Sequence, residues 1–337
     1  MTDILNALVL FANFVFVPAL AYGSQLALGA LGVTLIFGIL RFAHFAYGDL
    51  MAFGTMFVIL GTWGLQSWGV SIDPLPTALL ALPLGLAAAA AVSLLADRAV
   101  FAHYRGLRAK PVVFVIASVG VMFILNGVVR IVIGPDDQRF ADGARFIFTV
   151  REFREWSGLA EGLAIRGAQA LTVIAALAAM AALFWFLQKT RTGKAMRAYS
   201  DNEDLALLSG VDPAKVVRVT WLIAAALATL AGTLYGLDKT FKPFTYFQLL
   251  LPIFAAAILG GIGQPLGAVA GGYVVAFSEV GVTYAYRKFI GYLGPTDWAP
   301  AGLVQLLSTD YKFAVSFVIL VVVLLIRPTG LFRGRVL

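Results

Sequence analysis

The chain has 337 residues, of which 61% are hydrophobic and only 13% are charged. Soluble domains usually carry about 25% charged residues, so this composition excludes both a soluble globular protein and a disordered one. The absence of cysteine excludes disulfides, thiolate metal sites and cysteine nucleophiles. With two histidines in the chain, neither a haem nor a multi-histidine metal site is expected, and we predict no cofactor.

Uncharged stretches dominate the chain, and most have the length of one membrane crossing. A helix needs about 20 apolar residues to cross the roughly 30 Å hydrocarbon core. We therefore predict an all-α, polytopic integral membrane helix bundle of eight to nine spans, with residues 1–337 forming a single transmembrane domain. The uncharged stretches are residues 4–40, 50–72, 74–96, 111–129, 167–188, 219–237, 243–278 and 313–326.

Two of these stretches have unusual lengths. The first is too long for one crossing, and Pro18 and Gly23 predict an interfacial segment followed by a crossing at about residues 20–40. The last is short, and Lys312 and Arg327 are expected to extend outward toward water from its two ends.

The stretch 243–278 is long enough for two spans, and GGIGQPLG at 260–267 interrupts it. Glycine and proline at this density do not sustain a helix, so we predict a hairpin of two apolar helices. The interruption has two interpretations. It is either a turn on the inner side or a break near the membrane midplane, where free backbone groups of Gly260, Gly261 and Gly263 would bind a zwitterion.

Lysine and arginine in the connecting loops determine the predicted orientation. Placing 41–49, 97–110, 189–218 and 327–337 inside gives the inner loops 14 basic and 6 acidic residues, against 10 and 11 in the outer loops. The hairpin brings the basic C-terminal tail to the same side as the other basic loops. We therefore predict an outer N-terminus, a cytoplasmic C-terminus and an extracytoplasmic loop at 134–166.

The loop at 189–215 carries helix signals of its own. Ser200 and Glu203 have the spacing of a capping box, in which each side chain bonds a free backbone N–H at a helix start. Gly210 has the position of a left-handed helix end. These signals predict a short amphipathic helix at 201–209.

The apolar face of this short helix indicates a partner. Leu205 and Leu208 recur at helical spacing, and exposed apolar side chains mark docking surfaces. Asp212 before Pro213 predicts the start of the next span. The segment is either a docking helix for a cytoplasmic protein or a solvated linker between two spans.

Polar residues inside the apolar stretches are the remaining candidates. Glu279 either lines the translocation path and meets a substrate ammonium, or lies near the outer interface and pairs with a basic group. Arg130 is expected to extend to the interface, and Asn126 to bond across helices. Gln25 either lines the path or bonds a neighbouring helix. Asp49 is expected to cap the helix that follows it.

Four segments of the sequence, in this order, resemble the permease subunits of bacterial ABC importers for branched-chain amino acids, of the LivH type. Within the second segment, Asp204, Ala206 and Gly210 match the family's cytoplasmic coupling loop. This chain has His44 and Tyr47 where family members commonly carry Asn and His. The segments are GALGVTLIFGILRFAHFAYGDLMAFG (29–54), TRTGKAMRAYSDNEDLALLSG (190–210), AAAILGGIGQPLGAVAGG (255–272) and RPTGLFRG (327–334).

The resemblance implies a set of partners and a mechanism. Such permeases pair with a second, related permease in the bacterial inner membrane, bind two cytoplasmic ATPase subunits and receive the ligand from a periplasmic binding protein. ATP binding then switches the side to which the cavity of the permease pair opens. Ser200, Glu203, Asp204, Leu205, Ala206, Leu208 and Gly210 are the expected ATPase-coupling residues. Gln25, Asn126, Gly260, Gly261, Gly263 and Glu279 are the candidates for the substrate path.

The sequence agrees with a division of labour between subunits. It contains no G-x-x-x-x-G-K-[ST] motif, so a separate chain is expected to bind ATP and this chain is not expected to be an enzyme. Urea, short amides and other amino acids are alternative substrates. An ion-coupled secondary carrier is a further alternative, but it needs intramembrane carboxylates, for which Glu279 is the one candidate. A membrane enzyme is the least favoured.

Overall fold

The computed structural model describes residues 2–140, 143, 146–293, 302, 304–327 and 329–332. Within these residues the protein is helical apart from two very short strands, which confirms the all-α class. Nine described helices are long and apolar enough to cross a membrane. They are α1 (Thr2–Leu40), α2 (Tyr47–Ser67), α3 (Ala78–Gly106), α4 (Pro111–Ile133), α6 (Gly167–Lys189), α9 (Pro213–Asp238), α10 (Pro243–Gly260), α11 (Pro265–Thr283) and α13 (Thr309–Ile326).

The remaining elements are short and lie in the connections. Parts of the 134–166 loop, and residues 333–337 of the basic tail, lie outside the described residues. The short elements are β1 (Phe146–Phe148), α5 (Val150–Ser157), β2 (Ile165–Arg166), α7 (Arg191–Asp201), α8 (Glu203–Leu208) and α12 (Arg287–Leu293).

The N-terminal helix differs from the sequence prediction. Pro18 and Gly23 do not divide it, because a π-helical turn at Ala12–Phe16 precedes Pro18 and the helix continues through both residues. A π turn shifts the hydrogen-bonding register locally, which accommodates a residue that has no N–H. Gly23 serves packing instead, since a Cβ there would lie 2.5 Å from Cδ1 of Tyr273 on α11.

The centre of the bundle is formed by α1 and α9. α1 packs along α11, α9 and α6, while α9 also packs along α2 and α3. The last span, α13, is peripheral: Ser316 is its buried residue, and most of its other side chains are exposed or half-buried. Buried polar side chains are therefore expected on α1 and α9, and on α11, which packs along α1.

The interrupted stretch forms the predicted hairpin. α10 ends at Gly260, α11 begins at Pro265, and the two helices are joined by a short turn in which Gly261 and Gly263 have positive φ angles of 104° and 84°. Gly260 and Gly267 pack so closely that a Cβ on either would lie about 2 Å from the other's backbone. Glycine is required here both for the left-handed turn and for the close helix contact.

The basic connections lie together at one end of the bundle, which we call the basic face. Arg41 donates to the carbonyl of Ser200 at 3.4 Å, linking the 41–46 connection to α7. Ser200 and Gly263 both lie within contact distance of a Cβ built on Gly38, and the amide of Leu331 donates to Leu259 at 2.8 Å. The turn after α10 and the segment that follows α13 thus share the basic face with the loop at 189–212, as the predicted topology requires.

The opposite face is covered by the 134–166 loop. β1 and β2 pair antiparallel, and α5 between them starts with a capping box formed by Thr149 and Glu152. The side-chain oxygen of Asn6 accepts from the amides of Ala160 and Glu161 at 3.1 and 3.2 Å. These bonds hold the loop against the first turns of α1.

Candidate functional site

The short helix α8 projects from the basic face and starts differently from the prediction. The Ser200–Glu203 capping box is wrong: Asn202 is the N-cap, and its side chain accepts from the amide of Leu205 at 3.1 Å. α7 continues to Asp201, so Ser200 is still helical and is not placed to cap. α8 therefore spans Glu203–Leu208 and not 201–209.

Ser200 and Glu203 make contacts that join α8 to the rest of the protein. Ser200 donates to the carbonyl of Gly38 on α1 at 3.1 Å. The Glu203 carboxylate accepts from the hydroxyl of Tyr199 on α7 at 2.6 Å. Burial and this hydrogen bond raise the pKa of the Tyr199 hydroxyl, so Tyr199 remains a donor at neutral pH.

The outer surface of α8 is apolar. Leu205 and Leu208 are 61% and 85% exposed, while Ala206 between them is buried against the protein. Asp204 is exposed at the start of the same helix. The helix thus uses its alanine for packing and presents Leu205 and Leu208 outward at the i, i+3 spacing read from the sequence, with Leu207 beside them 42% exposed.

The exit from α8 agrees with the sequence prediction. Gly210 has a φ of +81°, and the amide of Val211 bonds back to Ala206 at 3.0 Å, which is typical of a glycine-terminated helix. Asp212 caps α9 by accepting from Ala214 at 2.9 Å, and Pro213 is the first residue of that span. A short rigid connection therefore links α8 to the central helix α9.

A buried carboxylate supports this region, and sequence reasoning missed it. Asp97 lies in a π-helical turn of α3 and accepts two bonds from Arg105, at 2.7 and 2.9 Å. It also accepts from the indole nitrogen of Trp221 on α9 at 2.7 Å. A groove of about 630 Å³ separates this cluster from Tyr199 and Pro213. Asp97 lies at the start of a basic loop, so nothing in the local sequence distinguished it.

The 41–49 connection is well packed. His44 is buried, and its ring packs edge-on against Trp221 and Phe101, at centroid distances of 5.1 and 5.6 Å. Asp49 makes no capping bond to the start of α2, contrary to the prediction. It accepts instead from the Asn126 side chain at 2.6 Å. Asn126 therefore bonds across helices, as expected.

The remaining path candidates are distributed over the bundle. Gln25 is buried, and its side-chain nitrogen lies 3.5 Å from the carbonyl of Leu234, so it joins α1 to α9. Gly260, Gly261 and Gly263 form the turn at the basic face, beside Ser200, and not a break halfway along a span. Of the two interpretations of this segment, the turn is the correct one.

Glu279 is enclosed near the opposite end of the bundle. It is 1% exposed on α11 and accepts from the hydroxyl of Ser316 on α13. A cavity of about 170 Å³ adjoins it, lined also by Tyr22, Tyr235 and Lys312. Lys312 does not extend outward as predicted: it is half-buried, with its ammonium 5.7 Å from the centre of the Tyr22 ring. Arg130 is exposed near the end of α4, as expected for an interfacial residue.

A family model for the permease component of branched-chain amino acid transport systems matches residues 15–324. The chain belongs to this permease family. The match covers almost every span, so membership describes the whole bundle and not one motif. It also confirms that the permease is a multi-pass membrane protein of the LivH type.

Curated relatives of the permease are similar over nearly their full length. The high-affinity branched-chain amino acid permease protein LivH of Escherichia coli K12 is 29% identical, with 92% of this chain and 91% of the relative covered. BraD of Pseudomonas aeruginosa is 27% identical over 94% of both chains. A probable LivH of Methanocaldococcus jannaschii is 27% identical over 93% of this chain and 90% of the relative.

Proposed function

We propose that this permease is the membrane subunit of an ATP-driven importer that moves branched-chain amino acids across the bacterial inner membrane. The observation that carries the proposal is the helix α8. In a chain of this family, α8 exposes Leu205 and Leu208 at the surface of the basic face. Such a helix fits the groove of a partner protein. The relatives are named as branched-chain amino acid permeases, which supports an aliphatic amino acid as the substrate.

The proposal includes the partners and the orientation. The basic face is cytoplasmic, since the excess of lysine and arginine in the loops determines which side remains inside. Two ATPase subunits bind at this face, one of them on α8. A second, related permease completes the membrane domain, and a periplasmic binding protein delivers the substrate to the opposite face. The N-terminus is then outside and the C-terminus inside.

Coupling follows from the contacts of α8. When the ATPases close on ATP, a force on Leu205 and Leu208 is transmitted to α7 through the Tyr199–Glu203 bond. It is transmitted to α9 through the short connection that starts at Gly210. Because α9 is a central helix, its displacement changes the packing of several spans together. The ATPase supplies the free energy, and the permease supplies two packings of similar energy.

ATP-dependent uptake in proteoliposomes tests this function. The full set of subunits is reconstituted with the binding protein, and uptake of radiolabelled leucine is measured with and without ATP. Competition by unlabelled valine, urea, acetamide and glutamine separates the proposed substrate class from the alternatives. Uptake by the permease alone, without any ATPase subunit, would instead establish an ion-coupled carrier.

A further inference from the structure

We infer that the cavity beside Glu279 is a binding site for a zwitterionic amino acid, with Glu279 holding the ammonium group and Lys312 the carboxylate. The inference rests on the proposed function and adds to it a site within this one subunit. The cavity lies where four segments converge: α1, the end of α9, the end of α11 and the start of α13. These ends are at the face opposite α8, which is where an importer receives its substrate.

The size of the cavity suits one small molecule. Its volume is about 170 Å³, well above the roughly 10–15 Å³ that one water needs. It is below the range of about 300–1,000 Å³ that is typical of drug-sized ligands. A single amino acid fits between these limits.

Two polar atoms in the acidic wall of the cavity, one on Glu279 and one on Tyr22, have no hydrogen-bond partner within the described part of the chain. One carboxyl oxygen of Glu279 accepts from Ser316. The other oxygen and the hydroxyl of Tyr22 are buried, and neither has hydrogen-bond geometry with any described residue, although the two side chains are near one another. Buried polar groups are normally paired, so an acceptor and a hydroxyl that lie buried beside a cavity without a described partner are suited to a donor such as an ammonium group.

Two lysines contribute a basic wall to the same cavity. Lys312 lines the same cavity, and Lys239 lies at its edge, where it pairs with Asp238 at 3.3 Å. Among the described residues, no ion pair within 4.0 Å joins Glu279 to Lys312. Opposite charges that share a low-dielectric cavity without pairing are suited to a ligand that carries both charges itself.

The other lining residues account for an apolar side chain. Pro18 and Val280 contribute aliphatic surface, and Tyr235 contributes an aromatic ring. An aliphatic amino acid would satisfy both charged walls and place its side chain against these groups. An amine or a carboxylic acid of the same shape would satisfy one wall only.

Direct binding to the assembled transporter tests the site. The complete complex in lipid nanodiscs, without binding protein, is titrated calorimetrically with L-leucine, 3-methylbutylamine and 4-methylpentanoate. The last two lack the carboxylate and the ammonium group of leucine, respectively. We expect leucine to bind about tenfold or more tightly than either analogue, the difference expected from losing a hydrogen bond to a charged group.

Two variants assign the charged walls. Glu279→Gln is expected to weaken leucine and the amine by about tenfold and to leave the acid unchanged, whereas Lys312→Gln weakens leucine and the acid. Glu155→Gln, an acid-to-amide change on the exposed helix α5, is the matched control and leaves all three affinities unchanged. An equal loss for all three ligands, or no loss, overturns the inference.

Two further readouts keep the outcomes separate. If a variant fails to assemble, the three titrations of the wild-type complex still decide, because equal affinity for leucine and its analogues refutes a zwitterion site. ATP-dependent uptake by the wild-type complex is measured in parallel. Normal uptake with no discrimination among the ligands refutes this site alone, whereas absence of uptake refutes the proposed function.

Discussion

The two ends of the bundle are built in different ways. At the basic face the connections are short, and charged side chains bond across elements, as in the Asp97–Arg105–Trp221 cluster. At the opposite face a long loop folds over the helix ends, and it is held both by side-chain amides such as that of Asn6 and by exposed ion pairs such as Lys242–Asp137 at 3.4 Å. The first arrangement presents α8 outward. The second lies at the end of the bundle where the Glu279 cavity is found.

The proposed function gives the two ends different tasks. The basic face receives force from the ATPase subunits through α8, and the opposite face receives the substrate. In the proposed coupling, a force on α8 reaches the central spans through the Tyr199–Glu203 bond and the connection that starts at Gly210. A binding site for a charged ligand needs desolvated polar groups, and the side chains of Glu279 and Tyr22 beside the cavity are buried. Each of the following predictions changes one of the two ends.

Leu208→Asp is expected to have the largest effect and to abolish ATP-driven uptake. A charge on an 85% exposed leucine removes apolar contact with the ATPase groove, while surface substitutions of this kind change folding stability by only about 0.5 kcal/mol. Leu205→Asp is expected to act in the same way. Uptake in proteoliposomes and the amount of inserted protein are measured together.

Leu208→Met is the control for this pair, since it keeps an apolar side chain of similar volume at the same exposed position. Its uptake is expected to match the wild type. Full uptake by Leu205→Asp and Leu208→Asp would refute the docking role of α8.

Gly210→Arg is expected to abolish uptake as well, through the backbone. A φ of +81° is strained for residues with a Cβ, at a cost of about 1–2 kcal/mol, so α8 would no longer end in the same direction. ATPase activity and uptake are measured in the same vesicles, because a misdirected helix separates hydrolysis from transport.

The environment of Gly210 makes this test specific to the backbone. Apart from its chain neighbours, no described atom lies within 4 Å of a Cβ built there, so Gly210→Ala introduces no clash at Cβ. Gly210→Asn, which tolerates the left-handed conformation better, is expected to retain more uptake than Gly210→Ala. The reverse order would show that backbone direction is not the requirement.

Asp97→Asn is expected to destabilise the permease by about 2 kcal/mol, the scale of losing hydrogen bonds to a charged group. It breaks a bidentate ion pair in which the Asp97 side chain is 11% exposed and the Arg105 side chain is 31% exposed, so the arginine that remains is partly solvated. Thermal unfolding of the purified complex measures the loss. The Arg151–Glu155 pair on α5 is mostly exposed, so Arg151→Ala is expected to cost about 0.5 kcal/mol or less.

Thr149→Ala is expected to have a local effect on α5 and none on transport. It removes the capping box of α5 and costs about 1 kcal/mol of local helix stability. Hydrogen exchange of the α5 amides should increase while uptake is unchanged. A loss of uptake would show that the outer loop participates in transport and is not only a cover.

The amino-acid sequence alone determined the features that depend on neighbouring residues. Span lengths follow from uncharged stretches, and the hairpin follows from the density of glycine and proline at 260–267. The end of α8 at Gly210 and the start of α9 at Asp212 were predictable because each cap acts within one helical turn. The two outward leucines follow from helical spacing.

Tertiary structure decided the roles of polar side chains whose partners are distant in sequence. Ser200 bonds Gly38 and not a neighbouring amide, Asp49 bonds Asn126, and Glu279 meets Ser316 and faces Tyr22. In each case local spacing offered a cap or an interfacial position, but a buried polar group takes whichever partner the packing brings near it. Only the arrangement of spans identifies that partner, because the sequence does not record which helices lie side by side.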